Sequence, residues 1–386
     1  MQKKGENVYI YIATFFVSAL LLYISEHFHR RKLQTALEII AIVIPAILAG
    51  CRAQEIGTDV SVYGKPFYDA AVNSASLREY FSSQSNLTFM EPAFYGTVFL
   101  ASRFCKDYHL GLFVYELLTA AFAYAAMKRC SRLFRTPVWF GMLLYDLVLY
   151  NVSLNIMRQS IAVSIVFLAV TYLFENRYKT YALLSVLAFG FHSSAIISVI
   201  VLPMYVLLGK KQNITAKAQL IRLAIFLTGT LLAVSAGSSA VQFLVNRGIL
   251  RLNYLKYLEG GIYTEETRSV SVMALAPHLT YIGLGIYHFR RLNARKMKAM
   301  FFIMASGLAL LSCFGTLLGS YITRIGYYFV PLEVVLLSNL SNCYHRKSRW
   351  IWYGAMIGFV FVFWYWNFVM KGIHETVPYR FFWNEI

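Results

Sequence analysis

Charge is what this 386-residue chain has least of. Only 14% of its side chains are charged, while 58% are hydrophobic. Soluble domains carry about a quarter charged residues, so an ordinary water-soluble enzyme is excluded. Acids are scarcer still: 18 Asp and Glu stand against 36 Lys and Arg, a net charge of +18. In a soluble protein that excess would suggest nucleic acid. No basic, aromatic-interleaved domain is present to bind it, so no nucleic-acid partner is expected. The five cysteines, Cys51, Cys105, Cys130, Cys313 and Cys343, are scattered. None forms C-x-x-C or keeps metal-ligand spacing with a histidine, so no zinc site of that kind is expected, and the five read as small membrane-buried residues.

Several catalytic signatures are missing too. There is no Asp-x-Asp, which argues against a metal-chelating nucleotide-sugar site. H-E-x-x-H, G-x-S-x-G and the P-loop are absent, so neither zinc proteolysis nor a nucleophile elbow nor ATP hydrolysis is expected. No internal repeat or matched pair of half-helices points to an inverted-repeat transporter. No cofactor and no metal is expected.

What the chain does have is apolar runs. Many approach the roughly 20 residues needed to cross a bilayer. The expected fold is an all-α polytopic integral membrane protein, one multi-pass membrane domain over 1–386. Twelve crossings are expected: 8–25, 34–51, 110–127, 137–154, 157–174, two passes within 180–208 split at Phe191-His192-Ser193-Ser194, 218–240, 271–289, 299–318, 321–341 and 350–370. The first run lacks a small-residue cleavage site, so it is expected to be a membrane helix and not a removed signal. Two larger polar loops, about 52–90 and 241–270, are expected outside.

Lys and Arg orient this map. The short loops 27–33, 128–135, 175–179, 209–217, 290–298 and 342–349 hold 20 of the 36 basic residues with almost no acids. Such loops belong on the cytoplasmic side. Both termini then lie outside, and 92–104 must be a re-entrant or interfacial helix, since 13 residues are too few to span. The polar chemistry collects on the outer side.

Arginine is costly there. Near a bilayer centre it costs roughly 2.5–3.5 kcal/mol on insertion scales. Arg158, beside Asn155 and Gln159, sits at the outer start of 157–174, where a guanidinium fork and helix amides suit a phosphate. Snorkelling to headgroups is the plainer alternative. Arg324 is read as opening the helix Arg324-Ile-Gly-Tyr-Tyr-Phe, matching Arg158 in placement. Two such arginines could neutralise a diphosphate from two sides. His192, at an outer turn, can act as a general base or phosphate ligand near neutral pH, or simply bond to backbone. Arg52, Gly57 and Asp59 follow a membrane helix directly; Gly-Thr-Asp is also a good turn. Glu91-Pro92 is ordinary helix-start chemistry. Glu116, Asp146 and Glu333 fall inside apolar runs and need partners, which could be Arg158 or Arg324.

Taken in order, Gly57-Thr58-Asp59 with Tyr63, Glu91-Pro92, Asn155-Ile-Met-Arg158-Gln159, Phe191-His192-Ser193-Ser194-Ala195 and Arg324 with Tyr327-Tyr328-Phe329 resemble the EpsG family. These are Wzy-like polymerases of exopolysaccharide, capsule and O-antigen. The resemblance covers roughly 40 to 345, and Met-Arg-Gln and Phe-His-Ser-Ser are its most specific elements. Tyr379-Arg380-Phe381 is a weaker match, and Ala93 stands where glycine is expected.

The resemblance implies a polymerase at the outer face of the bacterial inner membrane. It would move a glycan from its polyprenyl diphosphate onto the next lipid-linked repeat. Arg158 and Arg324 would take the diphosphate, standing in for a metal. His192, or else Asp59, would be the base. Arg52 and Gln159 would support by hydrogen bonds, and Glu91, Asn155, Tyr63 and Tyr327 would line the substrate. A chain-length regulator and a flippase are expected partners. An O-antigen-type ligase shares this leaving group, and a lipid-linked oligosaccharide flippase would also handle diphosphate, though with its charges nearer mid-membrane.

Overall fold

Glu26, at the end of one helix, caps the start of another more than a hundred residues away. Its carboxylate accepts the Val138 and Trp139 amides at 2.9 and 3.3 Å. Such long-range satisfaction of helix-end amides is seen again at the Asp59 and Ser193 amides of this computed structural model. It describes residues 7–28, 30–83, 91–209, 272–294, 298–314 and 320–384, with scattered positions between 218 and 247. Among these the secondary structure is helical, apart from an isolated antiparallel bridge between Arg52 and Phe381.

The chain forms two compact units, 1–196 with 344–386, and 197–343. In the first, α1 (Val8–His27) and α2 (Arg31–Gly50) pair. Lys65–Asn73 (α3) and Leu77–Ser83 (α4) follow, then α5 (Pro92–Phe104), α6 (Tyr108–Phe134), α7 (Val138–Ser153), α8 (Met157–Leu173) and α9 (Tyr178–Phe191). Helix α8 packs against both α6 and α9. Nearly all its side chains are buried, as an all-round apolar helix requires. Local chemistry sets its neighbours' ends. Asp107 caps α6 by accepting the His109 amide at 2.9 Å, and Pro92 sits in the first turn of α5, where its missing N–H costs nothing.

In the second unit, α10 (Ser198–Met204) precedes α11 (Val272–Tyr287), α12 (Phe289–Ala294), α13 (Ala299–Ser312), α14 (Ser320–Gly326) and α15 (Val330–Leu340). Helix α13 packs on α11 and α15. The first unit closes with α16 (Arg346–Trp364), continued as a π-turn to Met370, and a tail.

Among the described residues, four helices are long and apolar enough to cross a membrane: Val8–His27, Arg31–Gly50, Tyr108–Phe134 and Arg346–Met370. Five shorter apolar helices join them among the described residues. The expected break at His192 is present. The 13-residue α5 is present with the expected ends, and at about 1.5 Å per residue it is too short to span.

Three expectations are corrected. The stretch 52–90 is not simply a loop: Phe67, Tyr68 and Tyr80 bury their rings, and that burial organises α3 and α4. Helix α6 runs through Lys128, Arg129 and Arg132, where the charge pattern predicts a loop. The run 321–341 is two helices, broken by a turn at Tyr327–Phe329. Pro331 enforces this break, because its ring clashes with the carbonyl four residues back. Most of the expected span 218–240 and loop 241–270 lies outside the described residues.

Candidate active site

Three segments of the first unit meet at one carboxylate. Glu91 precedes α5, Arg158 is the second residue of α8, and His192 follows α9. Arg158 Nη1 donates to Glu91 Oε2. Glu91 Oε1 accepts the Ser193 amide at 3.4 Å, and His192 Nε2 stands 3.9 Å from it. The Glu91 side chain is 6% exposed and that of Arg158 14%, so the charges offset one another out of bulk water. Burial pushes the Glu91 carboxyl above its ordinary 4.5. The charge and hydrogen bond of Arg158, and the Ser193 amide, pull it part of the way back.

The histidine's protonation follows from its neighbours. The Ser194 amide donates to His192 Nδ1 at 3.2 Å, with Ser194 Oγ 2.6 Å from the same nitrogen. A backbone amide can only donate. Nδ1 therefore offers its lone pair, and the neutral ring carries its proton on Nε2, towards Glu91.

Aromatic rings bracket the arginine. Its guanidinium carbon lies 4.2 Å from the Tyr63 ring centre and 5.7 Å from that of Phe94. Both are within cation–π range. Tyr63 sits in a π-turn, Val60–Gly64, a device common at functional sites. Asp59 precedes that turn and acts electrostatically on Arg158. Asn155 joins the two segments: its Oδ1 accepts from Thr58 Oγ1 at 2.9 Å and from the Asp59 amide at 3.1 Å. Gly57 makes this possible. Its φ is +84°, and a Cβ there would stand 2.7 Å from the Leu154 carbonyl oxygen.

Polar residues gathered around a largely buried ion pair are consistent with many activities, and the sequence pattern decides between them. The EpsG family pattern matches residues 35–381. The chain belongs to the EpsG family. Members are Wzy-like polymerases. This EpsG-family chain is therefore a multi-pass membrane protein of exopolysaccharide-polymerase type, a glycosyltransferase-like activity. No curated protein and no solved structure matches it.

The remaining expected residues of this EpsG-family chain fall in different places. Arg52 is buried, and its Nη2 donates to the Leu154 carbonyl and reaches Met157 Sδ, both at 3.1 Å. It supports the turn leading into Arg158. Gln159 is buried beside Arg158 in α8. Arg324 and Tyr327 belong to the second unit. Arg324 does not open a helix, as the sequence suggested; it lies in the last turn of α14, and Tyr327 begins the turn that follows.

The buried acids have partners other than the arginines expected for them. Glu116 accepts from Ser153 Oγ at 2.5 Å. Glu333 pairs with His278 Nδ1 at 2.7 Å. Arg158 is taken by Glu91 instead. His374, in the C-terminal tail, was not anticipated: its Nδ1 lies 2.9 Å from Asn155 Nδ2. A lone histidine in a short polar tail carries no periodic or motif signal, so nothing in the sequence marked it.

Proposed function

We propose that this protein polymerises polyprenyl-diphosphate-linked oligosaccharide repeats at the outer face of the bacterial inner membrane. A hydroxyl of the incoming lipid-linked unit attacks the anomeric carbon of the growing chain. The new glycosidic bond forms as the bond to the lipid diphosphate breaks. Negative charge grows on the departing diphosphate, and a fixed guanidinium in a water-poor site stabilises it as oxyanion donors do. Arg158 fills that role. Arg324, by its sequence motif, is a second diphosphate ligand, so that arginine supplies the charge that a metal would otherwise bring.

The observation that carries this reading is the shared carboxylate. Glu91 is the counter-ion of Arg158. An arriving diphosphate takes over the guanidinium, which prefers a bidentate oxyanion. Glu91 is then released within reach of His192. A carboxylate whose proton affinity burial has raised is a better base at neutral pH. In this reading Glu91 takes the acceptor hydroxyl's proton, and His192 orients it through Nε2–H. Asp59 biases the arginine electrostatically, while Tyr63 supports it from one face. Arg52, Asn155 and Gln159 hold the backbone around it, and Tyr327 remains a sugar-lining residue by sequence alone.

The test replaces Arg158 and Glu91 separately, Arg158→Ala and Glu91→Gln, in the native host. Membrane levels are followed by blot, and surface polysaccharide is resolved on a gel. Collapse of long polymer to single repeats at unchanged protein level supports polymerisation at this site. Unchanged long chains overturn the assignment. Complete loss of surface sugar favours a flippase.

A further inference from the structure

Asn155 serves three partners at once. The Asp59 amide can only donate, so the atom it faces must be the Asn155 oxygen, which also takes the Thr58 hydroxyl. The amide nitrogen is then the atom facing His374 Nδ1 at 2.9 Å. Nδ2 donates, Nδ1 accepts, and the His374 ring keeps its proton on Nε2.

The backbone presenting His374 is unusual. Gly372, His374 and Glu375 have φ of +66°, +69° and +53°, a region that L side chains rarely adopt. The tail is held there from several sides. The Gly57 amide donates to the Glu375 carbonyl at 3.1 Å. Tyr11 donates to the Thr376 carbonyl at 2.5 Å, and Asn151 Nδ2 to Thr376 Oγ1 at 2.9 Å. Further along, the Ala53 amide donates to the Arg380 carbonyl at 2.9 Å and Tyr379 to the Leu48 carbonyl at 2.6 Å. Residues kept in sparse backbone regions by such over-determination cluster at functional sites.

We infer that His374 is a positioning residue of the active site. By receiving Asn155 Nδ2, it locks the carboxamide that ties the Thr58–Asp59 segment to the turn leading into Arg158. Without the ring, the carboxamide nitrogen loses its acceptor and the group is held only through its oxygen, so the register between Asp59 and Arg158 loosens. The C-terminal tail is thus part of the site, although it lies beyond the last apolar helix. The inference rests on the proposed roles of Arg158 and Asp59.

The experiment uses full-length variants in a host lacking its own copy, read by polymer length and membrane level. His374→Gly accepts the positive φ without strain and removes only the ring. It should lower long-polymer yield by about tenfold or more, as small misplacements of a catalytic group do. Asn tolerates the left-handed region, and its Oδ1 can take the Asn155 amide. His374→Asn should therefore recover yield to within about threefold of the parent. Adding His374→Gly to Asn155→Ala should cost nothing further, because His374 acts on the site through its bond to Asn155. Normal polymer from His374→Gly, a His374→Asn protein no better than His374→Gly, or an additive double loss each overturns the inference. Arg158→Ala on the same gel separates the two levels. If it is inactive while His374→Gly is normal, only the role of His374 fails. If it polymerises normally, the reading of the whole site fails with it.

Discussion

The guanidinium of Arg158 lies 4.2 Å from the centre of the Tyr63 ring, from a residue 95 positions earlier in the chain. The contact is to the ring face. Tyr63→Phe should therefore keep most activity. Tyr63→Ala should lose about 0.5–2 kcal/mol of support for the arginine, roughly two- to thirtyfold in rate. Polymer yield from membranes carrying each variant checks this; equal loss in both would assign the effect to the hydroxyl.

Arg158→Lys tests the fork. Lysine keeps the charge but offers a point ammonium in place of a planar set of donors. It cannot hold Glu91 and face the aromatic rings in the same geometry. A fall of about a hundredfold is expected, measured as incorporation of lipid-linked repeats into polymer. Near-parental activity would mean that charge alone suffices.

The acid limb of activity should lie above pH 4.5, because burial raises the Glu91 carboxyl from that ordinary value. As pH falls through the raised value, Glu91 takes up a proton. The ion pair with Arg158 and the proposed base are then lost together. Activity of wild-type membranes across the acid range reads this directly. A limb at or below pH 4.5 would exclude Glu91 as its source.

Gly57→Ala should damage the site without touching any charged residue. The added Cβ would meet the Leu154 carbonyl oxygen at 2.7 Å, and the φ of +84° disfavours any L side chain. Relief requires the 52–59 segment to move away from Leu154 and Asn155. Lower membrane levels or shorter polymer are expected, while Gly96→Ala, where a Cβ meets nothing within 4 Å, serves as the control.

Asp107→Ala removes the cap of α6 and should cost about 1 kcal/mol of stability, read as earlier thermal unfolding in detergent. Burial opposes ionisation of Asp107, but the amide, ring and charge of His109 outweigh it and hold the carboxyl below its ordinary 3.8. The stabilisation is therefore present above pH 3.8 and is lost as pH falls through the lowered folded-state value. Asp107→Asn keeps the cap but not the charge, so near pH 7 it should cost less than Asp107→Ala yet fall short of the parent.

Some of the site was legible beforehand. Pro92 and an apolar run of 13 residues marked α5; Phe191-His192-Ser193-Ser194 marked the break after α9; Met157 onward marked α8. These are local signals, since helix formation and termination depend on residues within one or two turns. Arg158, His192, Asp59 and Asn155 stood out by type and placement, and Glu91 and Tyr63 through the resemblance to the family. Their partners did not. Glu116 and Asp146 looked as able to meet Arg158 as Glu91 did, because each is an acid that needs a cation. Arg324 lies at the end of a helix and not at the start of one because Pro331 breaks the run at the turn that follows it.

The sequence alone determined that this chain is a membrane-embedded helical protein. Apolar length and the scarcity of charge leave no other stable solution in water or lipid. Its motifs also carried the family. The tertiary structure alone decided that Glu91, not a buried helical acid, holds Arg158, and that His374 closes on Asn155 from 219 residues away. Those pairings depend on which helix ends pack together. That is a property of the whole packed unit, and no local spacing encodes it.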